Sequence, residues 1–157
     1  MFLDIIFIMI LVFIVQYFVM SIILTNLNLN ITNNLNKIYI STILALIVGF
    51  IYVLMMNFKL GLLIDYNYYI GFGICSGIFI YAYKNQIGIT DYDWANSMIE
   101  LQSNGILISK IMSNQEPTND NKIKCIEFSK YIVKSQQEQI DLLKQLAFNS
   151  NTKGLFY

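Results

Sequence analysis

The chain has no histidine among its 157 residues. That absence removes the commonest general base and the commonest metal ligand together, so catalysis is not the first expectation. Charge is also scarce. Only 13% of residues are charged, about half the usual share for a soluble domain. Ten basic and ten acidic side chains cancel. With no basic run and no aromatic-basic interleaving, nothing supplies the phosphate neutralisation on which nucleic-acid binding depends. Of the two cysteines, Cys75 falls in an apolar segment and Cys125 in the polar half, so a disulfide between them is not expected and both are read as packed thiols.

What is present is hydrocarbon. Hydrophobic residues make up 56% of the chain, the mean hydropathy is +0.55, and the apolar residues crowd into the first 83 positions. Nearly all the charge lies beyond Lys84, which divides the chain into a membrane half and a water half. Segments 3–24, 38–57 and 68–83 are read as three spans; the first two have the length needed to cross about 30 Å of hydrocarbon. The third is shorter, but Tyr66, Tyr68 and Tyr69 at its start and Tyr81 and Tyr83 at its end are suited to the two headgroup regions. Asp4 stands where a signal peptide would be basic, and no small-residue cleavage site follows, so the first segment reads as a retained span.

Within the third span, Gly73 and Gly77 lie one helical turn apart beside Ser76, a spacing that lets a second helix backbone come close. Gln16 in the first span is expected to point at a neighbouring helix rather than lipid. No acidic or basic residue lies deep in any span, so the ion site of a pump is not visible. The loop "TNLNLNITNNLNK" carries Lys37, and "FKLGLLIDYNYY" carries Lys59 and Asp65. Lys37 and Lys84 against Lys59 is too small a bias to orient the protein. The sequon Asn30-Ile31-Thr32 decides nothing by itself.

The water half begins at "TDYD", where Thr90 and Asp93 form a capping-box pattern opening a helix over 91–113. Trp94, Met98, Leu101, Gly105, Ile108 and Met112 recur at spacings of four and three, which predicts the buried stripe, with Gly105 a point of close approach. "SNQEPTNDN", with Pro117, breaks the pattern. A second helix over about 121–147 carries Phe128, Ile132, Ile140, Leu143 and Ala147 on one side with Gln136 among them, while Lys130, Lys134, Glu138, Asp141 and Lys144 turn to water. The expected organisation is all-α: a three-span region over 1–86, a helical hairpin over 87–148 and a tail over 149–157. A lone helical pair buries little surface, so homo-oligomerisation through the hairpin, or packing on the membrane half, is expected.

Met98 and Ile99 in the first helix, and Ile132, Gln136 and Ile140 in the second, carry a resemblance. The chain resembles the family known as domain of unknown function 305, a ferritin-like hairpin with Met-Ile-x-His-His on one helix and Ile-x-x-Ala-Gln-x-x-Glu-Ile-x-x-Met on the other. Some members also have three preceding spans. The resemblance implies that architecture and, through its paired histidines, a copper-type metal site. Leu101 and Gln102 replace the histidines here, Gln139 replaces the glutamate and Leu143 the methionine. The ligand set implied by the family is therefore lost, and neutral amides and an aliphatic side chain do not replace it.

The expected function is a non-enzymatic, multi-pass membrane protein, without a cofactor, whose hairpin mediates assembly and whose partners are the lipid bilayer and its own copies. A membrane-bound copper handler using Met98, Met112 and Cys125 is the first alternative. A small pore or transporter subunit, or a component of a virion membrane, is the second.

Overall fold

The computed structural model describes residues 2–60 and 66–153. Asp65 and the last four positions lie outside the described residues. The described residues form helices and no strands: α1 (Phe2–Ile14), a π-helical turn (Val15–Val19), α2 (Met20–Leu24), a 3-10 turn (Asn28–Asn30), α3 (Leu35–Leu60), α4 (Tyr66–Lys84), α5 (Asp91–Ser113) and α6 (Asp120–Lys153). The chain is all-helical, as its apolar periodicity predicts.

Two helical stretches, Leu3–Leu24 and Leu35–Lys59, are long and apolar enough to cross a bilayer. Only 11% of the first and 28% of the second is buried, which is the reverse of a core helix in a soluble protein. α4 is an uninterrupted helix across the third expected span, but it does not reach the same apolar content. Its glycines and tyrosines dilute the hydrocarbon.

The contacts divide the chain into two compact units. The first runs to Met20 and resumes over Leu35–Gly88; the second joins Ser21–Asn34 to the chain from Ile89 onward. The expected boundary near 86 shifts by two residues. The loop after the first apolar helix belongs with the C-terminal unit, which sequence order alone does not suggest. Residues 149–153, expected as tail, continue α6.

In the first unit α3 packs against both α1 and α4. Ser41, Ala45, Gly49 and Val53 recur every fourth residue on α3, so they share one face. Ser41, Ala45 and Val53 are all buried. A Cβ on Gly49 would stand 2.9 Å from Met9 Cγ and 3.0 Å from the Phe72 ring, so the missing side chain lets α1 and α4 both press on α3. Ile5 and Val53 form the centre, surrounded by Met9, Tyr52, Met56, Tyr68, Tyr69 and Phe72. Phe50 meets Tyr69 and Phe72 edge to face, and Asn57 Nδ2 donates to Tyr69 Oη at 2.9 Å. Lys37, expected in the loop, opens α3 and lays its ammonium 4.7 Å from the centre of the Tyr17 ring. Gln16, in the π turn, is half-buried.

Among the described residues, nothing packs on the small-residue face expected on α4: no atom lies within 4 Å of a Cβ built on Gly73 or Gly77. The close-approach glycine is instead Gly49. Cys75 and Cys125, expected as packed thiols, are both exposed.

In the second unit, α5 and α6 form the hairpin over a core of Ala95, Ile99, Ile106, Ile140, Leu143 and Ala147, with Met98 and Val133 packed against it. Thr90 and Asp93 form the expected capping box, with Asp93 N–H donating to Thr90 Oγ1 at 3.2 Å.

Replacing Gly49 by leucine forces Met9 and Phe72 out of contact and costs about 1–3 kcal/mol. Gly77→Leu, with open space at its Cβ, leaves stability unchanged. Denaturation of the full chain in detergent micelles, followed by far-ultraviolet circular dichroism, separates the two.

Candidate functional site

The predicted stripe on α5 is displaced from the real one. Trp94, Leu101 and Ile108 are 48%, 61% and 61% exposed, whereas Ala95, Ile99 and Ile106 are buried. Asn96, Ser103 and Ser109 are buried beside them. Size-weighted periodicity selects the large side chains. Asn96 and Ser103 are inside because a second backbone, the Asn-rich loop over 25–34, lies against them.

One face of α5 holds that loop by hydrogen bonds. Ser103 is completely buried, and its Oγ accepts from Asn26 N–H at 2.9 Å and from Asn30 Nδ2 at 3.2 Å. One turn earlier, Glu100 Oε1 accepts from Thr32 N–H at 2.6 Å. Thr32 Oγ1 donates to the carbonyl of Asn96 at 3.0 Å and accepts from Asn34 Nδ2 at 3.3 Å. Ser97 Oγ lies 3.0 Å from Asn34 Oδ1. Positions 96, 100 and 103 are spaced by four and three, so one helical face carries the whole set.

Asn30 joins both helices to the loop. It is 1% exposed; its Nδ2 donates to Ser103 on α5, and its Oδ1 accepts from Lys144 Nζ on α6 at 2.7 Å. Lys144, expected among the solvent-facing charges, is thus engaged. The same burial closes the sequon: the atom that would carry a glycan is inside the fold. A buried amide without partners costs about 1–3 kcal/mol, so a loop rich in asparagine is stable here only because α5 and α6 supply donors and acceptors. Asn26 Nδ2 and Asn96 Nδ2, buried in the same unit, have no hydrogen-bond partner among the described residues.

The positions singled out by the resemblance fall at the hairpin seam. Ile99, Ile140 and Leu143 are core, Met98 packs against it and Ile132 is half-buried. Gln102 Nε2 donates to Gln139 Oε1 across the seam at 2.7 Å. Gln102 and Gln139 therefore touch as a neutral amide pair. Leu101, expected as a core knob, is exposed. Gln136 lies where a Cβ on Gly105 would stand, 2.5 Å from its amide atoms, so Gly105 is a close-approach point for a side chain. Gln136 Oε1 has no hydrogen-bond partner.

The alternative copper ligands do not converge. Met98 and Met112 are fourteen residues apart on one straight element, which is about 21 Å of helix rise. One chain cannot close those two sulfurs on a single ion. Among the described residues no group of three or more His, Cys, Asp or Glu side chains is arranged to hold a metal.

What the sequence reading missed is the loop's partner. The signal was present: Asn96, Ser97, Glu100 and Ser103 place polar side chains capable of hydrogen bonding on one flank of an otherwise apolar helix, and "NLNLNITNN" offers a matching run of amides. Ser103→Ala removes the acceptor of two hydrogen bonds in a fully buried place and is expected to destabilise the C-terminal unit by about 1–3 kcal/mol. Urea titration of the micelle-solubilised chain, read by amide exchange within α5, measures the loss. The chain matches no protein-family model, no curated protein and no solved structure.

Proposed function

We propose that this is a non-enzymatic integral membrane protein that crosses the bilayer three times and displays a helical hairpin for assembly. The observation that carries it is the docking of the loop over 25–34 on α5. That loop follows the first apolar helix and precedes the second, so it lies on one side of a bilayer. α5 shares that side, because Ser103 and Glu100 hold the loop. The second apolar helix takes the chain away, and α4 must bring it back. Nineteen residues of helix rise about 28 Å, close to the hydrocarbon thickness. The tyrosines at both ends of α4 support the same crossing.

The non-enzymatic reading is supported by where the polar groups are used. Glu100, the carboxylate in the network, accepts from a backbone amide, and the hydroxyls and amides around it bind the loop. Nothing in this arrangement leaves a nucleophile beside a base. The kinship with domain of unknown function 305 is kept as part of the proposal, for architecture only: the facing of Gln102 and Gln139 supports its register, and their neutrality supports a lost metal site.

Topology is testable with single cysteines in a Cys75→Ser background. Under this reading Cys125 and Asn28→Cys react with a membrane-impermeant maleimide from the same side of sealed vesicles, and Lys59→Cys, with Cys125 replaced by serine, reacts only from the other. Labelling of Lys59→Cys from the side of Cys125 contradicts the third crossing.

A further inference from the structure

The hairpin has a second face, which stands exposed among the described residues. On α5 it is Trp94, Leu101 and Ile108, spaced by seven; at 100° per residue they fall within roughly 40° of arc and about 130° around from Asn96, Glu100 and Ser103. On α6 it is Phe128, Tyr131, Leu142 and Leu146, within roughly 60° of arc. Phe128 and Tyr131 stack on α6 with centroids 6.4 Å apart, and Trp94 and Leu146 line the same surface cavity, so the two stripes meet at that end of the hairpin. These seven side chains are 48–67% exposed.

We infer that this face is an interface with a second copy of the same chain, closing two hairpins into a four-helix bundle. The inference rests on the assembly reading above and names its partner and surface. Three observations carry it. Seven large side chains, each about half to two-thirds exposed, present apolar surface of the order that each side of a standard stable interface contributes, about 800 Å². The stripe carries no charge along its centre; Lys124 stands at its end and Glu138 at its edge, the distribution of an apolar core within a polar rim. The sevenfold spacing of Trp94, Leu101 and Ile108, repeated by Phe128, Ser135 and Leu142, is the periodicity of helices packed into bundles. A face whose centre is free of charge complements itself, so a two-fold pairing buries no charge at its middle. Leu101, midway along its stripe, falls near the two-fold axis, and anchoring in one bilayer raises the effective concentration of the copies.

The full chain in detergent micelles is measured by light scattering, with the native protein set beside Leu101→Asp and Phe128→Asp. The native mass is expected at twice the 18.2 kDa of the chain. Each variant is expected to halve it, with α5 and α6 amides still protected from exchange because both side chains are already exposed. Emission from Trp94, the single tryptophan, shifts to longer wavelength in the variants as the dimer parts.

A second measurement is independent of folding losses. With Cys75 and Cys125 replaced by serine, Leu101→Cys is expected to form an intermolecular disulfide under mild oxidation, and Lys130→Cys, exposed on another side, is not. A native dimer that persists in both aspartate variants, or crosslinks as readily at position 130 as at 101, overturns this face while leaving assembly through another surface. A native monomer overturns both the face and the assembly reading. So does a monomer whose tryptophan emission shifts to shorter wavelength on phosphatidylcholine vesicles, which assigns the face to lipid.

Discussion

Everything distinctive in the C-terminal unit depends on one polar contact, the seating of an asparagine-rich loop on the flank of α5. An amide-rich backbone cannot be buried against hydrocarbon without losing its hydrogen bonds to water. Ser103, Glu100, Asn96 and Ser97 replace those bonds, and Lys144 adds one from the second helix. The result is a unit of three strands of chain, two helices and a strap, in place of an isolated helical pair. The strap also explains the pattern of α5, where Asn96 and Ser103 sit inside while Trp94, Leu101 and Ile108 sit outside.

The same contact links local chemistry to the path of the chain. A loop between two long apolar helices is held to a helix more than sixty residues further on. The polar residues that invite a search for a catalytic or metal site have a structural use, and the amide pair Gln102–Gln139 stands at the seam with no charge to hold an ion.

Much of this organisation is legible in the sequence. The two long apolar helices, the Thr90–Asp93 cap, the turn around Pro117 and the pairing of α5 with α6 all follow from local pattern. The inward face of α5 does not. Periodicity weights large apolar side chains, and a helix with one flank against polar backbone buries Ser103 in preference to Leu101. The four-residue run from Ser41 through Ala45 and Gly49 was equally readable, but Gly73 and Gly77 resemble a packing motif more closely. Which small residues meet a neighbour depends on helix rotation, and no local pattern records that. The loop's role was the least visible, because asparagine-rich segments are usually exposed turns, and its partners lie some seventy positions away.

Amide hydrogen exchange of the full chain, resolved by residue, tests the seating of the loop most directly. Thr32 N–H bonds to Glu100 and Asn26 N–H to Ser103, so both should exchange as slowly as amides in the middle of α5. Exchange of both at the rate of an unstructured peptide, with α5 still protected, would contradict the account.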